Sequence, residues 1–301
     1  MKEIPNESLP VSIPEIGGDY RITDKILYES GEISICCNVP VSERGIIMKV
    51  LITSTIAAII ALVICGFIYL RMIKKEVPET IGKLQAILPA VLGGICMPIS
   101  GVSGLGLLAA IQCMGIRIET LPTLPAAFLA AFFMAGFVEE LFKFLVIILT
   151  LVVLKNKVSN VYEYILLGAA VGFGFTVVED FSFGESIFAL FIRIPLLFTH
   201  MTLNMIMGEF IGRAKYNHRK GEGHTLLYWA LGLIIPMGLH TLYDAGTIFN
   251  FPVLKDGDFI TGGILGGAAI MINIVLLIYV PVRAMKNAEK LSALTFFIAG
   301  E

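Results

Sequence analysis

Long apolar runs separated by short charged stretches dominate the chain from residue 50 onward. Seven of them, 50–70, 84–112, 124–154, 161–178, 186–212, 226–249 and 259–282, are long enough to cross the roughly 30 Å hydrocarbon core of a bilayer as helices. The pattern predicts an all-α fold, a polytopic transmembrane helix bundle. Pro98, Gly101, Gly104 and Gly106 interrupt the second run, which reads either as one long helix with a break or as a re-entrant pair. Residues 1–46 have no such run. They mix Glu3, Glu7, Glu15, Asp19, Asp24, Glu29, Glu32 and Glu43 with Lys2, Arg21, Lys25 and Arg44. With no basic stretch leading into an apolar core, the segment is read as an exposed polar appendage rather than a cleaved signal peptide. The expected organisation is a polar tail over 1–46, a transmembrane domain over 47–285 with its core at 124–249, and a cytoplasmic end over 286–301 able to lie along the membrane surface.

Basic residues sort between alternate loops. Arg71, Lys74, Lys75 and Lys83 follow the first run, Lys155 and Lys157 the third, Arg213, Lys215, Arg219 and Lys220 the fifth, and Arg283, Lys286 and Lys290 the seventh. The intervening loops hold only Arg117 and Lys255. The positive-inside bias therefore places the amino terminus outside and the carboxy terminus in the cytoplasm. Composition agrees with a multi-pass membrane protein: 56% of the 301 residues are hydrophobic, 15% are charged, and mean hydropathy is +0.85. A net charge of -2 argues against nucleic acid as a partner and leaves the lipid bilayer as the first one. Cys36, Cys37, Cys65, Cys96 and Cys113 show no C-x-x-C spacing, so neither a metal site nor a disulfide framework is read from them.

Against this apolar background the ionisable residues inside the runs stand out. Glu139, Glu140 and Lys143 lie in the third, Glu179 ends the fourth, Arg193 and His200 lie in the fifth, and His240 and Asp244 in the sixth. Each such group costs about 2.5 to 3.5 kcal/mol at the centre of a bilayer on insertion scales, so a set spread over four helices is a functional signal. Glu139 and Lys143, Phe175 and Glu179, and His240 and Asp244 are i,i+4 pairs, each on one helix face. Gly168, Gly172, Phe175 and Glu179 form one stripe, and His200, Asn204, Gly208 and Gly212 another; the glycines read as helix-packing seams. In the inferred orientation Glu179 and Asp244 approach the outer surface, so a cavity joining the polar set would open outward.

Three chemistries can use these groups. Two carboxylates and two histidines can relay protons or bind cations in an ion- or proton-coupled transporter, hold zinc through His and Glu ligands, or activate water for hydrolysis. Residue types alone favour the transporter.

The order and spacing of the motifs add a resemblance. Glu139-Glu140-Leu141-Phe142-Lys143, Phe175-Thr176-Val177-Val178-Glu179 and His240-Thr241-Leu242-Tyr243-Asp244 resemble the EExxK, FxxxE and HxxxD motifs of the PrsW family of intramembrane proteases, with Arg193 to His200 resembling the family's arginine-to-histidine segment. The resemblance covers about 124–244, and Asp180 departs from the asparagine common in relatives. CAAX prenyl proteases share the paired glutamates, but Lys143 and Glu179 pull the chain away from that alternative. What the resemblance implies is a glutamic or metal-dependent peptidase in a prokaryotic plasma membrane. It would cleave a single-pass, membrane-anchored protein near the outer side of the bilayer, as in site-1 cleavage of an anti-sigma factor.

Its implied catalytic set is Glu139, Glu140, Lys143, Glu179, His200, His240 and Asp244. Glu140 is expected as general base with Glu139 as its partner, Lys143 offsets the charge of Glu139 one turn back, and Asp244 either orients His240 or, in the metal version, supplies another ligand. His200 and His240 are either oxyanion donors or, with Glu179, ligands of a zinc ion. No H-E-x-x-H is present, and the expectation leans to a metal-independent glutamate mechanism. Arg193 either pairs with Glu179 or Asp244 or reaches the outer interface. His218 and His224 read as solvated.

Overall fold

The computed structural model describes residues 41–77, 80–154, 157–182, 197–249 and 259–296. Most of the polar tail, Cys36, Cys37, Arg193 and Lys255 lie outside those residues. The chain divides between Gly45 and Ile46, and the bundle belongs to the second part. Its helices are α1 (Val41–Ile73), α2 (Lys83–Cys113), α3 (Thr123–Ala131), α4 (Phe137–Leu154), α5 (Val161–Ser182), α6 (Thr199–Lys220), α7 (Thr225–Gly246), α8 (Phe259–Lys286) and a short α9 (Ala288–Ser292). No strand occurs among the described residues, which confirms the all-α expectation.

Five helices are long and apolar enough to cross a membrane: Met48–Ile73 of α1, α2, α5, α7 and α8. The two remaining expected spans are the third and the fifth. The third is divided into α3, a π turn over Phe132–Gly136, and α4 with Glu139, Glu140 and Lys143. The described part of the fifth, α6, passes the expected end at 212 and continues to Lys220. Arg213 bonds Glu209 one turn back, and the helix stops where Gly221 takes a left-handed φ of 70°. The second run, left open between one helix and a re-entrant pair, is the single helix α2 with Pro89 and Pro98 inside it. At about 1.5 Å per residue its 31 residues extend about 46 Å.

The centre of the bundle is α5. Of its apolar window 78% is buried, against 17% to 28% for the other four crossing helices. Tyr162, Ile165, Leu166, Leu167 and Val171 pack against Met72, Ile147, Met201 and Met205. Close approach on two sides makes this possible. A Cβ at Gly168 would meet the Asn204 carbonyl of α6, and one at Gly174 the Ala90 carbonyl of α2. The two glycine stripes of the sequence are thus the facing edges of one α5–α6 seam.

The basic end of the bundle is tied by local bonds. Asn160 caps α5: its Oδ1 accepts the Glu163 backbone N–H at 3.0 Å, while Glu163 accepts the Ser159 backbone N–H at 2.8 Å and the Asn160 amide at 2.8 Å. Behind α9 the chain pairs with this turn, Phe296 N–H donating to the Ser159 carbonyl at 2.9 Å, and Phe296 stacks edge-on against Tyr164. Residues 288–296, expected along the membrane surface, contribute buried Ala288, Leu291 and Phe296 to the core.

Candidate functional site

The widened turn Phe132–Gly136 leads directly into α4, a device that recurs at functional sites because it re-aims the residues that follow. Glu140 and Lys143 of α4 are completely buried, and the Glu139 side chain is 15% exposed. The Lys143 ammonium donates to Glu140 Oε1 at 2.8 Å, to Glu139 Oε2 at 3.3 Å and to His200 Nδ1 of α6 at 2.9 Å. Its remaining face lies 3.9 Å from the centre of the Phe175 ring of α5. Three N–H groups and one cation face are all an ammonium has, so the lysine is saturated.

That saturation fixes the histidines. With Nδ1 accepting from Lys143, His200 carries its proton on Nε2, which donates to Glu179 Oε2 at 2.5 Å. His240 Nδ1 lies 2.9 Å from Glu140 Oε1 and donates to it; its Nε2 is 3.5 Å from Asp244 Oδ2 and 4.0 Å from Glu139 Oε2. The two rings meet edge to face at 5.0 Å, and Phe175 packs on His200 at 4.8 Å. Glu140 Oε1 therefore takes two donors. Its Oε2 is buried with no protein hydrogen-bond partner among the described residues, and such an atom requires a water or an ion.

A cavity of about 20 Å³ adjoins the cluster, lined by Glu179, Leu197, Thr199, His200, Tyr243, Asp244 and Ile248. It is large enough for one water molecule. It lies where the end of α5, the start of α6 and the end of α7 meet, the end of the bundle that loop charges assign to the outside.

All seven residues singled out in the sequence come together here. They converge from α4, α5, α6 and α7. The expected zinc ligands included Glu179; among the described residues the group of three whose donor atoms all lie within 4.8 Å of one another is Glu139, His200 and His240. Two histidines and a glutamate are a zinc donor set by chemistry. As arranged they do not fit one. Both His200 nitrogens are bonded, to Lys143 and to Glu179, and the buried ammonium holds the position between His200 and Glu139 that a metal would need. Cys65, Cys96 and Cys113 are free thiols apart from this set, and His218 and His224 are exposed, as expected.

Two residues of the site escaped the sequence reading. Thr199 lines the cavity, and Asn273 of α8 donates to its hydroxyl at 2.8 Å. The available signal was that Asn273 is the single amide in the run 259–282.

Apolar helices enclosing an ammonium, two imidazoles and four carboxylates define a multi-pass membrane protein with a buried polar cluster. A profile of the PrsW family, described as intramembrane metalloproteases, matches residues 82–285, about two thirds of the 301 residues. The chain belongs to the PrsW family. Two proteins named Protease PrsW are similar to it. One, from Shouchella clausii (strain KSM-K16), is 33% identical over 123 residues, which is 40% of this chain and 54% of that protein. The other, from Halalkalibacterium halodurans, is 32% identical over 124 residues, 39% of this chain and 54% of its own length. The chain thus spans about half the length of the relatives it matches. No solved structure matches it.

Proposed function

We propose that this protein is a membrane-embedded endopeptidase that hydrolyses a peptide bond of a single-pass, membrane-anchored protein, with Glu140 as the general base. The observation that carries the reading is the state of the Glu140 carboxylate. Lys143 and His240 hold one oxygen, and the other is buried and unpartnered. A water at Oε2 is within reach of a base whose geometry is set by two donors. Glu140 takes its proton as the hydroxide adds to the carbonyl, and passes that proton to the leaving amine. On becoming neutral, Glu140 loosens its hold on His240 Nδ1–H, which then serves the oxyanion. The Lys143 ammonium supplies the positive field that a metal supplies in other hydrolases, and no step runs through a metal.

With the seven spans and cytoplasmic carboxy terminus expected from the sequence, the cavity opens on the outer side, where a membrane-anchored substrate would offer its juxtamembrane segment. The family's profile and the two Protease PrsW relatives support proteolysis over ion transport. The test is expression of the wild type or Glu140→Gln in a bacterial host, with new amino termini in the membrane fraction read by mass spectrometry. Cuts in single-pass proteins that appear with the wild type and vanish with the variant are expected. Equal cuts in both would sink the assignment of the base; no cuts, with proton or ion flux in liposomes lost on Glu140→Gln, would establish a transporter.

A further inference from the structure

We propose that Asn273 is a positioning residue for His200, acting through Thr199. One face of α8 is turned outward: Ile260, Ile264, Met271 and Ile278 are all more than 60% exposed. Asn273 is buried, and its Nδ2 donates to Thr199 Oγ1 at 2.8 Å across two helices. An amide inside an apolar helix must find a partner, and this one finds a hydroxyl on the cavity wall.

Thr199 is the first residue of α6, immediately before His200. The helix starts without a side-chain cap, since Phe198 occupies the capping position. Three other contacts hold that turn, two of them from neighbouring helices. Gly172 lets α5 press on the His200 carbonyl, where a Cβ would collide with it. Asn204 donates to the same carbonyl at 2.9 Å, and Asn273 pins the preceding hydroxyl. These three clamps set the imidazole that must reach Lys143 at 2.9 Å and Glu179 at 2.5 Å at once.

The kinetic arm of the test rests on the proteolytic reading; the spectroscopic arm does not. Full-length protein in liposomes is compared as wild type, Asn273→Leu, Thr199→Val and the double variant, using as probe the single-pass protein whose cut depends on Glu140. Asn273→Leu is expected to lower kcat about tenfold with KM nearly unchanged, because a small misplacement of a reacting group is costly. Thr199→Val is expected to match it, the double variant to add nothing further, and Thr199→Ser to recover most of the loss. The His200 ring nitrogen resonances are expected to shift in Asn273→Leu and to stay in place in Ile278→Leu, a control on the exposed face of α8. Wild-type turnover and unshifted resonances in Asn273→Leu overturn the proposal, as do losses that multiply in the double variant. Should the leucine variant not assemble, Asn273→Ser removes the same bond with little change in bulk, and wild-type values there overturn it equally. If the wild-type protein cuts nothing while the resonances still shift, the proteolytic reading fails and the positioning stands.

Discussion

Two buried glutamates, Glu140 in the middle of the bundle and Glu163 at its basic end, use their carboxylates in opposite ways. Glu163 takes its donors from Ser159 and Asn160, within four residues, and completes a cap on the most buried helix. Glu140 takes one donor from Lys143 and another from His240, a hundred residues away, and keeps one oxygen without a protein partner among the described residues. Local, neutral donors with both oxygens occupied mark a carboxylate that serves the fold. A cation and a histidine of another helix as donors, with an oxygen to spare, are what the proposed base shows instead. Burial alone does not separate them.

The comparison breaks most sharply under substitution. Glu140→Gln is expected to lower turnover by about 10²- to 10⁴-fold, the scale of a lost general base, with assembly in detergent retained. Turnover within a few-fold of wild type would place Glu140 with Glu163. Lys143→Met leaves two buried carboxylates without their cation; a loss of about 3 to 5 kcal/mol of stability is expected on the scale of broken buried pairs, read by chemical denaturation, together with lost activity. Gly168→Ala drives a methyl group into the Asn204 carbonyl and is expected to destabilise the α5–α6 seam by about 1 to 3 kcal/mol. Asn160→Ala at the basic end should cost about 0.5 to 2 kcal/mol, the usual cost of a lost cap, while kcat of the folded fraction is unchanged. A kcat effect there would blur the distinction.

The smallest expected effect is a pH dependence near the same end. Burial pushes the Glu76 carboxyl, in the loop between α1 and α2, up to about 7, against the Ile81 backbone N–H that lowers it and with the charge of Glu163 raising it. A raised native pKa means the folded chain holds the proton longer than the unfolded one. Its contribution is fully present below the ordinary carboxylate range, falls as pH rises toward 7, and levels off above. Thermal stability is expected to decline between about pH 5 and 8 and to lose that slope in Glu76→Gln.

The fold was legible because hydropathy reports directly on crossing helices, and α1, α2, α5, α7 and α8 follow it. It misplaced the end of α6, since a helix leaving the apolar layer continues until something stops it, here Gly221. The seven site residues were legible because charge in an apolar run has few explanations. Their partners were not. Spacing places Glu139 and Lys143 on one face but says nothing of His200 on another helix, nor that its two nitrogens are divided between Lys143 and Glu179. Thr199 and Asn273 stayed hidden because a hydroxyl and a single amide cost too little to stand out in a sequence.

In the proposed mechanism the Lys143 ammonium, and not a metal, is the cation that holds Glu140. The most direct measurement is turnover of the purified protein in liposomes after exhaustive treatment with a strong chelator, with metal content measured on the same sample. Unchanged turnover with far less than one metal per chain is expected. Stoichiometric zinc in the active protein, turnover lost with its removal and restored with its return, would contradict it.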